Sequence, residues 1–253
     1  MGELCFRVCL SSLFYVPIFI VQNLTFGVRE STLDLYPISD LGPQIFHTKT
    51  FDDFFSDAAA GALPSFSFLD ENYETQSQES PQNVVVGEAL MYDVVQAIGS
   101  SPNWDKTLLI INYDEHGGYY DHVTPPVALA PDDVAPSVPE GEYEYEGFTR
   151  YGFRVPAVVV SPWAKKDYIS HLVYDHTSIL ALLEYKWNLP ALTLRDANAN
   201  NMLDFIDLDA LASGTMNFPD LESLSLSLPG NTTEALACSE DDPGVIPPVG
   251  SVS

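Results

Sequence analysis

Thr107-Leu-Leu-Ile-Ile-Asn-Tyr-Asp-Glu-His-Gly-Gly-Tyr-Tyr-Asp-His-Val-Thr-Pro-Pro126 carries most of the information in this chain. Residues 107–113 are nearly all apolar and predict a short strand buried on both faces, as strands of parallel sheets are. Asp114, Glu115 and His116 follow directly. They would stand at the carboxyl end of the strand, the edge at which open α/β sheets bind ligands. Gly117 and Gly118 permit a tight turn and a close approach of backbone to a ligand. With Asp121 and His122 the segment holds five ionisable groups in nine positions. Oxygen and imidazole groups at this density suit a hard or borderline divalent metal ion. Buried like charges call for such a cation, and between Thr107 and Pro126 the only cationic candidates are His116 and His122. Taken singly, the same residues read as a capping Asp114 and two histidines on a surface loop.

Outward from this segment the pattern is α/β. Phe51, Phe54, Phe55 and Ala58 fall on one helical face that Gly61 would end. Residues 63–69 read as a strand and 70–82 as a polar loop. Met91, Val94, Val95 and Ile98 form a second helical stripe, stopped by Gly99-Ser-Ser-Pro102. Strand, helix and strand in this order predict a parallel βαβ unit within a mainly parallel sheet flanked by helices. Residues 127–147 are rich in Pro, Asp and Glu, with Glu142-Tyr-Glu-Tyr-Glu146 inside. A loop of that length reads as a lid beside a site or as a solvated insertion. Residues 155–160 predict another strand, ended by Ser161-Pro-Trp163. Thr177 or Ser178 would cap a helix with Ile179, Leu180, Leu183 and Trp187 on one face. Past Asp207 little periodicity remains, and the last dozen or so residues are expected to fray.

Composition limits the partners. The chain has 253 residues, 46% of them hydrophobic, enough for a sizeable core. Ten basic against 36 acidic residues give a net charge of −26. That charge excludes nucleic acid and anionic membrane as surface-bound partners, since phosphates need clustered Lys and Arg. It would also repel an anionic substrate unless bound cations reverse the local sign. Cys5, Cys9 and Cys238 make neither a disulfide framework nor a zinc site. Residues 10–21 are mostly apolar but too short for a comfortable membrane span. They read either as a signal-peptide core or as a buried strand or helix. Asn23-Leu-Thr25 and Asn231-Thr-Thr233 fit the glycosylation acceptor pattern.

Tyr174-Asp175-His176-Thr177-Ser178 is the second chemical segment. It places a histidine at a helix N-terminus, where backbone N–H groups favour an anion such as phosphate. The alternative is a plain helix cap with an incidental histidine.

Together these segments resemble the phosphoesterase family that includes non-haemolytic phospholipase C and an acid phosphatase, within the alkaline phosphatase superfamily. The resemblance rests on Tyr113-Asp-Glu-His-Gly-Gly-Tyr-Tyr-Asp-His-Val123, with ordered support from Gly61-Ala-Leu-Pro64, Gly87-Glu88, Ser101-Pro-Asn-Trp104, Phe153-Arg-Val-Pro156, Ser161-Pro-Trp163 and Tyr174-Asp-His-Thr-Ser178. It covers roughly residues 51–207. It implies an alkaline phosphatase-like fold and hydrolysis of phosphate esters with a divalent metal ion. Asp114 and Glu115 match the family's metal-ligating acidic pair. His116, His122 and His176 match positions for phosphate contact or leaving-group protonation. Gly117, Gly118, Asp121, Asp175 and Thr177 are then expected to border the substrate, a small phosphoester or phospholipid headgroup. Most relatives are exported, which implies export here.

Two family features have no counterpart. The family begins with a segment like Glu-Asn-Arg-Ser-Phe-Asp-His, followed by a Ser or Thr nucleophile; Glu71-Asn72 repeats the dipeptide after the wrong strand. A His-Pro pair before the Gly-Glu helix is replaced by Ser80-Pro81. The expectation is therefore the C-terminal part of a catalytic domain over 51–207, preceded by a segment 1–50 without assigned elements and followed by a partly disordered extension 208–253. Such a chain is expected to show no appreciable turnover by itself. The second reading is an inactive homologue that serves as a binding module.

Overall fold

In a computed structural model of the protein, residues 49–71, 76–78, 84–135 and 147–221 are described, with the backbone of strands β1 (Arg7–Ser12) and β2 (Thr25–Gly27). Cys5, Cys238, residues 13–21, Asn23, Asn72, Ser80-Pro81, residues 142–146, Asn231 and the C-terminal dozen lie outside the described residues.

The elements that follow are α1 (Phe51–Ala59), β3 (Phe66–Asp70), α2 (Val84–Gly99), β4 (Thr107–Asn112), β5 (Ala157–Val160), α3 (Thr177–Trp187), α4 (Leu194–Asn198) and α5 (Leu208–Ser213). The class is α/β. One five-stranded sheet has the order β2-β3-β1-β4-β5. β1 pairs in parallel with both β3 and β4, and β2 with β3, whereas β5 runs antiparallel to β4 at the edge.

β4 explains the two-layered core. All six of its residues are buried, and alternate side chains enter opposite cores, as the pleat requires. Leu108 and Ile110, with Phe66 and Phe68 of β3, pack against Ile179, Leu182 and Leu183 of α3. Leu109 and Ile111 face the other way, with Phe51, Phe54 and Ala58 of α1 and Leu90, Val94 and Ile98 of α2. Helix α1 starts at a reciprocal cap: Asp53 N–H donates to Thr50 Oγ1 at 3.2 Å and Thr50 N–H to Asp53 Oδ2 at 3.0 Å.

The βαβ unit differs from expectation in one respect. β3 and β4 are not neighbours, because β1 lies between them. Of the apolar run at residues 10–21 only residues 10–12 are described, and they belong to the strand Arg7–Ser12. The buried stripe of α2 is also rotated from Met91 and Val95 towards Gly87 and Leu90. Gly87 faces residues 76–78; an added Cβ there would stand 2.4 Å from Gln78 Cγ and 3.0 Å from Gln76 O. Packing continues beyond Asp207. Trp104 Nε1 donates to Phe218 O at 3.0 Å, and Leu221 lies over Gly99, where a Cβ would meet its Cδ1 at 2.2 Å. Among the described residues no helix is long and apolar enough to cross a membrane.

Candidate active site

The strand β4 ends at Asn112 and delivers Tyr113, Asp114 and Glu115 to the carboxyl edge of the sheet. Tyr113 is fixed from both sides. Its N–H donates to Pro156 O at 3.2 Å, and its hydroxyl donates to Gln78 Oε1 at 2.5 Å. Burial pushes the Tyr113 phenol up, and the charge of Glu88 adds to this.

Asp114 is partly buried while Glu115 is exposed. Burial pushes the Asp114 carboxyl up to about 6; the Glu115 N–H bond at 2.7 Å and nearby His176 pull it down, and the Glu115 charge pushes it up further. An acid held in that environment gains from a cation nearby. Asp114 and Glu115 therefore fit a divalent ion as two hard oxygen donors. Among the described residues no group of three or more His, Cys, Asp or Glu side chains gathers as a ligand set.

The second chemical segment meets the first. His176 Nε2 lies 2.9 Å from Tyr113 O. A carbonyl only accepts, so this nitrogen carries the proton. The bond ties the start of α3 to the residue preceding Asp114, across 63 positions of sequence. The cap of α3 differs from expectation. Thr177 is the first helical residue, and His176 makes no side-chain cap. Asp175 does that work: its Oδ1 accepts from Thr177 N–H at 2.7 Å and from Thr177 Oγ1 at 2.5 Å, while Asp175 N–H donates to Ser178 Oγ at 3.1 Å. The anion that the helix N-terminus favours is thus supplied in part by the chain itself.

The glycine turn is built as its residues require. Gly117 and Gly118 have φ of +63° and +72°, a region unfavourable to other residues, and around Gly118 there is open space. His116 Nδ1 lies 3.4 Å from Glu115 Oε2, and its ring packs on Phe153 with centroids 4.8 Å apart. Asp121 is committed elsewhere. Arg154 Nε and Nη2 each donate to its carboxylate at 2.8 Å, and the N–H groups of Val123 and Arg154 add bonds at 3.0 and 3.2 Å. These donors, the Arg154 side chain first, hold the Asp121 carboxyl below the usual carboxylate range. His122 points outward, with its side chain 82% exposed. The His176–Tyr113 bond brings the second segment beside Asp114, while His116 packs on Phe153 and His122 stands in solvent.

Sequence reasoning missed the grip supplied by Phe153 and Arg154. The motif that contains them was visible, yet a partner 33 residues from Asp121 leaves no local trace. Arg195 was missed entirely. Its Nη1 lies 3.8 Å from Asp175 Oδ2, its guanidinium covers the Tyr151 ring at 5.1 Å, and Nη2 donates to Phe148 O at 2.5 Å.

A model of the phosphoesterase family matches residues 38–190, and the chain belongs to that family. Non-specific phospholipase C6 of Arabidopsis thaliana is 36% identical over 180 residues, 64% of this chain and 34% of that protein. Non-specific phospholipase C3 of the same plant is 32% identical over 197 residues, 72% of this chain and 36% of that protein. Phospholipase C A of Mycobacterium tuberculosis is 36% identical over 146 residues, 54% of this chain and 28% of that protein. The chain spans about a third of the length of these relatives.

Proposed function

We propose that the chain is part of a phosphate-ester hydrolase of phospholipase C type with an alkaline phosphatase-like fold, whose substrate is a phospholipid headgroup or a small phosphoester. The observation that carries this reading is the convergence of the Asp114-Glu115 pair and the Asp175-His176-Thr177 turn at one end of β4, joined by the His176–Tyr113 bond. Family membership and relatives named as phospholipases C support it.

In this reading Asp114 and Glu115 hold a divalent ion, which when bound neutralises charge on a phosphoryl oxygen. Metal dependence fits the raised Asp114 carboxyl, which burial makes costly to ionise alone. His176 is oriented by Tyr113 O through Nε2, leaving Nδ1 as the ring atom available to a ligand. Asp175 and Thr177 fix the backbone on which that imidazole rides. His116, braced on Phe153, is the second imidazole for phosphate contact or proton delivery to the departing oxygen. His122 and Asp121 are proposed only as border residues of the substrate path. Export remains part of the proposal through the family resemblance alone.

The nucleophile segment that the family resemblance calls for has no match in this sequence. Turnover of p-nitrophenyl phosphate and of a choline phosphoester should therefore be negligible for the 253-residue chain. Joined to a family N-terminal segment, it should show metal-dependent turnover that Asp114→Asn abolishes with the fold intact. Undiminished turnover in that variant would remove Asp114 from the metal site, and turnover by the 253-residue chain itself would overturn the reading that the nucleophile segment has no counterpart in this sequence.

A further inference from the structure

Behind the His176 turn lies a pair of carboxyl groups that the proposed chemistry does not use. Glu184 is on α3, and Asp196 is on the short helix α4, where it is 2% exposed. Asp196 is richly supplied with donors: Leu192 N–H at 2.6 Å, Thr193 N–H at 2.8 Å, and a short bond from the Thr193 hydroxyl. Glu184 is not. Its Oε1 is buried and receives no hydrogen bond, while its carboxyl lies within hydrogen-bonding reach of Asp196. Two carboxylates cannot bond to each other, but an acid and a carboxylate can. The proton belongs on Glu184, because Asp196 already has donors that favour its ionised form.

We propose that Glu184 and Asp196 form a proton-sharing latch that docks α4, and with it Arg195, against the turn carrying Asp175 and His176. The consequences of docking are visible in the contacts. Arg195 reaches Asp175 at 3.8 Å and donates to Phe148 O at 2.5 Å. Leu194 N–H donates to Pro131 O at 2.8 Å. One five-residue helix thereby holds Pro131, Phe148 and the cap of α3. Loss of the Glu184 proton would set two carboxylates against each other between α3 and α4 and weaken all three attachments.

The direction of the titration agrees with the geometry. Burial, the bond to Asp196 and the charge of Asp196 push the Glu184 carboxyl up to about 7. Hydrogen bonds hold Asp196 below the usual range against its own burial. Charged groups on the other packed elements are engaged elsewhere. Arg195 faces Asp175; Asp204 is held by Tyr168 and Ser170; Lys186, on α3 itself, lies over the Trp187 ring. The sheet side of α3 is apolar. Because the folded-state value is raised, the latch is fully closed below the ordinary glutamate range. It is lost as pH rises through about 7.

The test uses the 253-residue chain and needs no catalytic activity, so it stands apart from the phosphoesterase reading. Amide exchange, corrected for intrinsic rates, is followed at Leu192 and Thr193 from about pH 5 to about pH 8.5. Protection of these amides should fall by up to about tenfold per pH unit between about pH 5 and about 7 in the wild type and level off above that. Glu184→Gln, which keeps a neutral donor, should hold it level. Equal pH dependence in wild type and Glu184→Gln, or none in the wild type, overturns the latch. Should Glu184→Gln fail to fold, carboxyl carbon titration of the wild type decides. A Glu184 midpoint near 7 supports the proposal, and one in the ordinary range, about 4.3, refutes it.

Discussion

At Asp114 burial and charge pull in opposite directions. Its carboxyl is pushed up to about 6, mainly by burial, so folding favours the protonated form. Stability from this group is full below its ordinary value of about 3.9 and declines as pH rises through about 6. Asp114→Asn should therefore stabilise the metal-free chain at pH 7.5 by about 1–2 kcal/mol, a figure reduced for partial solvent screening, and change little at pH 3.5. The same variant should lose any rise in melting temperature that a divalent ion gives the wild type. Paired thermal melts at the two pH values check this; equal effects at both would assign the change to packing rather than charge. Asp121, seven positions on, illustrates the opposite case. The Arg154 fork holds it ionised, so the same residue type in the same loop becomes a structural clamp.

At the scale of elements, the approach of α2 to the segment before it sets the position of the site strand. Gly87 leaves room for Gln78, whose Oε1 receives the Tyr113 hydroxyl and whose Nε2 donates to Val84 O at 3.1 Å. Gly87→Ala should cost about 1–3 kcal/mol, because a methyl 3.0 Å from Gln76 O cannot be cleared by moving a side chain alone. Urea unfolding checks the magnitude, and a neutral result would show that residues 76–78 yield without cost. The nearly unbroken apolar run of β4 was legible because both its faces are buried, and the 3.6 period of α1 because that helix meets one core through a fixed face. The stripe of α2 was less so, since its apolar residues run nearly all round and only packing against the sheet and residues 76–78 selects Gly87 and Leu90.

For the whole molecule the governing quantity is the net charge of −26. Self-repulsion at that charge opposes the compact state and is screened by salt. Raising salt from about 0.05 M to about 0.5 M should raise the melting temperature by several degrees, with a neutral osmolyte as control. A fall in melting temperature would mean that paired charges, such as Asp121–Arg154, outweigh the repulsion. The same field makes local cations important for any anionic substrate, which agrees with acidic metal-ligand candidates at the sheet edge and with Arg195 placed beside Asp175.

The order of apolar runs and breakers determined an α/β chain with the acidic pair after a buried strand, because buried periodicity and turn chemistry are local properties. The long motifs shared with the phosphoesterase family determined its membership for the same reason: they are contiguous. Only the tertiary structure put β1 between β3 and β4, tied His176 to Tyr113, bound Arg154 to Asp121, and set Glu184 against Asp196. Each of these joins separate segments of the chain by hydrogen bonds or charges. Such pairings depend on which surfaces meet in space, and neighbouring residues in sequence do not encode them.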